Sequence, residues 1–274
     1  MMIRPPAVAG TFYPDDGDAL HHMVGQMLDE ASCRSEDKLM VKPKAIIVPH
    51  AGYLYSGPVA ASVYAQLEPF RDTITRVVLL GPSHRIAFRG LATSSAEAYA
   101  TSLGNTTIDQ NAIASVSVLP QVSQLDAAHA DEHSLEVQLP FLQTILKSGF
   151  TLVPLVVGDA SPEEVAAVLE VLWGGTDTLI VISTDLSHFH DYETATARDL
   201  KTSRAIEAFE PQKISGEDAC GCRPLNGLLT IAKQKGLKIK REDLRNSGDT
   251  AGSRERVVGY GAYRLTEVVE QYGE

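Results

Sequence analysis

Three histidines stand in similar positions relative to apolar runs. His50 follows Ala45-Ile46-Ile47-Val48-Pro49, and His84 follows Val77-Val78-Leu79-Leu80-Gly81-Pro82-Ser83. His188 comes five residues after the run Leu179-Ile180-Val181-Ile182-Ser183. Each run has the length of a buried strand, so each histidine falls where a strand hands over to a loop. In open α/β sheets that rim is where ligands bind. If the three strands are parallel neighbours, the imidazoles gather on one rim, where they can hold a metal or move protons.

Cys220 adds a sulfur to this set. Imidazole suits zinc, copper, iron and nickel, and thiolate favours the softer metals. The spacing of His50, His84 and Cys220 does not decide the matter, because the ligands would come from separate loops. The alternative makes His84 a turn residue and the cysteines small buried hydrophobes. Asp185, three residues before His188, can orient that ring and raise its basicity. It can equally cap a turn together with Ser183 and Thr184. His129-Ala130-Asp131-Glu132-His133 matches the H-x-x-E-H zinc-hydrolase pattern. The simpler reading makes Asp131 or Glu132 a helix cap and His133 a first-turn residue. Tyr53, Tyr55, Phe88, Tyr99 and Phe189 either line a pocket rim or belong to the core. No phosphate-binding glycine fingerprint is present.

The elements that must position these residues alternate between strand and helix. Asp18 caps a helical stripe of Leu20, Met23, Val24, Met27 and Leu28. Pro58 to Tyr64 predicts a helix with proline in its first turn. Leu135, Leu139, Leu142 and Leu146 share a stripe that Pro140 must bend or start. Phe150 to Val157 predicts a strand that Pro154 confines to an edge or a bulge. Ser161-Pro162-Glu163-Glu164 opens a capped helix. Helices follow at about Glu193–Phe209 and Leu225–Lys235, and two alternating strands close the chain in an antiparallel edge. The sum is a layered α/β/α fold with a largely parallel or mixed central sheet, formed as a single domain over residues 1–274.

Composition narrows the function. The 274 residues are 44% hydrophobic and 22% charged, enough to bury a core without staples. The net charge of −11 opposes nonspecific binding to nucleic acid or anionic membranes. No apolar run approaches the roughly 20 residues of a membrane helix. The start of the sequence lacks an export signal, and three cysteines do not make a disulfide framework, so a cytoplasmic location is expected.

Several blocks together resemble the Memo family. They are Arg4–Pro14, Pro49-His50-Ala51-Gly52-Tyr53-Leu54-Tyr55-Ser56-Gly57, Gly81-Pro82-Ser83-His84, Glu132–Phe141, Ser183-Thr184-Asp185-Leu186-Ser187-His188 and Cys220-Gly221. The resemblance covers essentially the whole chain. It implies a fold similar to class III extradiol ring-cleaving dioxygenases, which hold non-haem iron with two histidines and a glutamate. In the family a cysteine takes the carboxylate's place. Matched residue by residue, His50, His84 and Cys220 would be the ligands of one transition-metal ion, iron or copper foremost and zinc a further option. His188 would lie beside the metal and, with Asp185, handle protons. Cys222 departs from the family pattern and leaves open which sulfur binds. His133 and Tyr53 are further candidates for the site. The resemblance also implies a neighbouring radical-SAM protein of the same system as a partner. Two functions are therefore expected in competition: a metal-dependent, dioxygenase-like oxidoreductase acting on a small aromatic molecule, and a non-catalytic metal-binding protein whose cleft takes a peptide or partner protein.

Overall fold

The computed structural model describes residues 2–34, 41–146 and 149–268. In chain order the strands are β1 (Ile3–Arg4), β2 (Pro43–Val48), β3 (Arg76–Pro82), β4 (Leu91–Thr93), β5 (Ala98–Thr101), β6 (Gly104–Thr107), β7 (Val122–Gln124), β8 (Thr151–Val157), β9 (Thr178–Ser183), β10 (His188–His190), β11 (Lys238–Asn246) and β12 (Val257–Thr266). The helices are α1 (Gly17–Arg34), α2 (Tyr53–Tyr64), α3 (Gln110–Val116), α4 (Asp126–Ala130), α5 (Leu139–Ile145), α6 (Pro162–Leu172), α7 (Tyr192–Glu207), α8 (Cys222–Gln234) and α9 (Ser247–Thr250).

The fold is three-layered α/β/α around a mixed sheet. The sheet runs β10-β12-β2-β9-β3-β8-β4-β7, with β11 paired to β12. Its centre, β2-β9-β3-β8, is parallel, and β12 joins β2 antiparallel. Ala45 to Val48, Val77 to Leu80 and Leu179 to Ile182 have no exposed surface. Strands covered on both faces read as continuous apolar runs, which is why these three stand out in the sequence. One helix group, α3, α6 and α8, packs together and reaches β3, β8 and β9; a second, α1, α2 and α5, reaches β2, β11 and β12. A small sheet, β1-β5-β6, fixes the N-terminal arm. The arm is anchored by fully buried Glu136, which accepts from Arg4, Tyr13 Oη and the backbone N–H groups of Ala7 and Val8.

Three prolines separate expectation from structure. Pro140 marks a helix start, at Leu139. Pro58 lies inside α2 rather than in its first turn, because the helix already begins at Tyr53. The carbonyl that Pro58 leaves without a partner belongs to Leu54, an exposed residue near the helix end. Pro154 lies in a regular strand between β3 and β4, neither at an edge nor in a bulge. On the β4 side, Leu152 accepts from Asp109 N and the next pairing is Val156 with Ala92. Pro154 faces the gap between them, where no ladder bond is lost.

Candidate metal centre

Strand register brings the candidate residues together. Val48 pairs with Ser183 and Leu80 with Ile182, so β2, β9 and β3 end side by side. Pro49-His50, Ser83-His84 and Thr184-Asp185 leave these strands on one rim. His188 pairs with Val258 at the start of β12, which runs antiparallel to β2 and so begins at that same rim. The rings of His50 and His84 lie 5.2 Å apart.

Cys220 arrives from the other side of the chain, just before α8. Gly221 donates its N–H to Thr184 Oγ1 at 2.9 Å. A Cβ at position 221 would lie 2.6 Å from Thr184 Cβ and 2.7 Å from Ser183 O, so only glycine allows this approach. The result places Cys220 Sγ 3.3 Å from His50 Nε2. The ligand atoms of His50, His84 and Cys220 lie within 4.8 Å of one another.

Hydrogen bonding fixes which nitrogen each histidine offers. Tyr64 Oη donates to Gln138 Oε1, so the Gln138 amide donates to Pro49 O and to Ser183 Oγ. Ser183 spends its only proton on Ser134 O at 2.6 Å. Ser183 Oγ must therefore accept from His50 Nδ1–H at 2.9 Å, which leaves the Nε2 lone pair facing the sulfur. His84 reaches the same tautomer differently. Its Nδ1 lies 2.9 Å from Glu132 Oε1, and an ionised carboxylate only accepts, so Nδ1 donates and Nε2 is left free. Burial would raise the Glu132 carboxyl, but the His84 ring and the backbone N–H groups of His84 and Ser134 outweigh it and hold it at about 2.

Burial pushes the other groups toward their neutral forms. His50 is held well below its ordinary range by burial and then by the charges of His84, His133 and His188. His133 is lowered to about 4, first by burial. Burial, then the Asp185 charge, raises the Cys220 thiol. Neutral imidazoles are the form that binds metal, and a coordinating thiol loses its proton to the ion. The donor set thus fits a transition-metal ion.

The remaining candidates divide. His133 stacks on His84 with centroids 4.7 Å apart, and His84, Glu132 and His133 form a second convergent group. His133 Nδ1 is buried without a hydrogen-bond partner. Asp185 does not pair with His188: its carboxylate accepts the His50 N–H at 2.7 Å, and burial lifts it to about 7. His188 bonds the backbone of Leu186 instead. Cys222 opens α8 and lines a separate cavity with Ile214, Gly216 and Asn226. It belongs to neither convergent group among the described residues. Tyr53 is buried and donates to Val137 O, a core role. The H-x-x-E-H run is split, because α4 ends at Ala130 and His129 turns away to Tyr99 Oη and Ala92 O. Sequence reasoning offered Glu132 as a cap or as the glutamate of the H-x-x-E-H pattern and Ser183 as a cap, and missed both as the Nδ1 partners of His84 and His50. The signal within reach was their place in the segments that carry His133 and Asp185.

The family described as Memo-like protein matches residues 4–264. This chain belongs to that family. A MEMO1 family protein of Aquifex aeolicus is 36% identical over 273 residues, covering 95% of this chain and 98% of the relative. One from Ignicoccus hospitalis is 33% identical over 288 residues, covering 97% and 99%. Among solved structures, an uncharacterized Escherichia coli K12 protein aligns with a TM-score of 0.48 at 12% identity, covering 79% of this Memo-like chain and 98% of that chain. No helix among the described residues is long and apolar enough to cross a membrane.

Proposed function

We propose that this Memo-like protein binds one transition-metal ion, iron or copper before zinc, through His50 Nε2, His84 Nε2 and Cys220 Sγ, and uses it in redox chemistry related to that of extradiol dioxygenases. The observation that carries the reading is the pair of fixed tautomers. Both Nδ1 atoms are consumed by partners, so both free nitrogens are offered to the space that the sulfur shares. When bound, such an ion supplies electron exchange and open positions for dioxygen or substrate. Around it, Glu132 and Ser183 orient the two rings, Asp185 ties down the His50 loop, and His188 holds or moves a proton at the rim. The substrate is a small molecule that enters over this rim.

A second reading rests on Cys220. A thiolate beside activated oxygen is oxidisable, which disfavours repeated turnover. On that reading the protein binds metal without catalysis and its cleft takes a peptide or partner protein.

Metal analysis tests both. His50→Ala and His84→Ala should each lose tightly bound metal while circular dichroism stays native. Metal retained in both variants would refute the ligand set. Oxygen uptake by iron-loaded protein with catechol, abolished in His188→Ala, would establish the enzyme; bound metal without uptake would favour the second reading.

A further inference from the structure

Two described non-glycine residues have positive φ, Phe189 at 62° and Phe209 at 52°. Phe209 follows the C-cap of α7, where a left-handed residue closes a helix, and it packs on the core. Phe189 has no such explanation. It is the extra residue of a bulge, since His188 pairs with Val258 and His190 with Val257. Its side chain is 62% exposed. A bulge that needs a left-handed residue, and a position open to water, both favour glycine or asparagine over phenylalanine. An aromatic ring kept at two costs in one position points to a use for the ring.

Its surroundings say which use. The Phe189 ring stands edge-on to His188 at 5.7 Å, and the Arg256 guanidinium lies 5.0 Å from its centroid. Leu54, Tyr55, Ile86 and Phe189 are four of the nine exposed large hydrophobic side chains among the described residues, and each follows His50, His84 or His188 by five residues or fewer. Exposed apolar side chains thus follow each of the three rim histidines, in the segments that leave the sheet there. Arg256, exposed beside Phe189, and Arg85, next to His84 and acting on His133, bring positive charge to this rim on a chain of net charge −11.

We propose that Phe189 and Arg256 form a recognition clamp for an aromatic carboxylate, the ring stacking on Phe189 and the carboxylate pairing with Arg256. This rests on the reading of the rim as the mouth of the metal centre. Benzoate, cyclohexanecarboxylate and benzamide titrated into metal-loaded protein separate the two contacts. Wild type should bind benzoate more tightly than either analogue. Phe189→Gly should weaken benzoate about tenfold and erase its advantage over cyclohexanecarboxylate. In the same variant the melting midpoint should hold or rise as the strained side chain goes. Arg256→Gln should erase the advantage over benzamide. Phe189→Leu keeps the apolar contact without the aromatic face and should likewise erase the advantage over cyclohexanecarboxylate, with a smaller loss of affinity than Phe189→Gly. Metal content measured in every sample keeps the two readings apart: metal missing from wild type would defeat the ligand set. With metal retained, benzoate binding that is absent, or that ignores Phe189, would overturn the clamp.

Discussion

His50 and His84 offer the same nitrogen to the same space, but one is held by a hydroxyl and the other by a carboxylate. The His50 arm is a neutral relay, Tyr64 to Gln138 to Ser183, with no exposed surface on any of the three. The His84 arm is ionic and ends on Glu132, which also gathers the backbone N–H groups of His84, His133 and Ser134. His50 is almost fully buried, whereas the His84 side chain is 28% exposed. Glu132 is itself only 2% exposed, so its charge is carried by donors rather than by solvent: the His84 ring and three backbone N–H groups converge on it. The number of donors that each support gathers thus decides its chemistry.

Glu132→Ala should have the largest effect. It strands four N–H donors at once, so the fold should lose about 3 kcal/mol or more in denaturant titration. Metal affinity should fall about 100-fold, the upper end for an outer support. Unchanged affinity would mean that the carboxylate does not set the His84 tautomer.

His129 sharpens the comparison from outside the centre. It comes from the same H-x-x-E-H run as Glu132 but donates Nε2–H to Ala92 O and accepts from Tyr99 Oη. Burial, with Arg4 adding to it, lowers the ring from its ordinary 6.5 to about 4. The folded state therefore favours the neutral ring, and the unfolded chain binds the extra proton. The stabilisation is complete above pH 6.5 and is lost as pH falls toward about 4, on the order of 3 kcal/mol in all. His129→Phe should flatten that part of the stability-versus-pH curve, and an unchanged slope would assign the proton elsewhere.

Ser183→Ala strands three buried partners, His50 Nδ1, Gln138 Nε2 and Ser134 O, and should cost the fold about 2 kcal/mol, less than Glu132→Ala. Without the hydroxyl, His50 Nδ1 has no fixed acceptor and the ring is free to change tautomer. Affinity should fall about tenfold, less than for Glu132→Ala. A larger loss than in Glu132→Ala would reverse the ranking of the two arms.

Much of this architecture is legible in the sequence because buried parallel strands announce themselves. The runs before His50, His84 and near His188 give both the strands and the rim, and Cys220-Gly221 is one of the blocks on which the family resemblance rests. What is not legible is direction. Asp185 and His188 are close in sequence, yet the carboxylate turns to His50 N. His129 and His133 suggest one helix face, yet a helix end separates them. Pro154 reads as an edge signal, but it only needs a missing partner on one side. Side-chain partners four to nine decades of residues away, such as Gln138 for Ser183, leave no local period to read.

The smallest effect tests whether the His50 arm behaves as a unit. Tyr64 is fully buried and donates to Gln138 Oε1 at 2.9 Å. Tyr64→Phe removes that donor and leaves the amide oxygen without it. Loss of one buried hydrogen bond should cost about 1 kcal/mol in stability. The Gln138 amide still has Pro49 O and Ser183 Oγ to hold its nitrogen, so its orientation should survive. Ser183 would then keep its proton on Ser134 O, and His50 would keep its tautomer. Metal affinity should therefore change by less than about threefold, well short of the loss expected for an outer support. An affinity loss equal to that of Ser183→Ala would mean that the amide flips when Tyr64 lets go, and that the neutral arm is set from its far end.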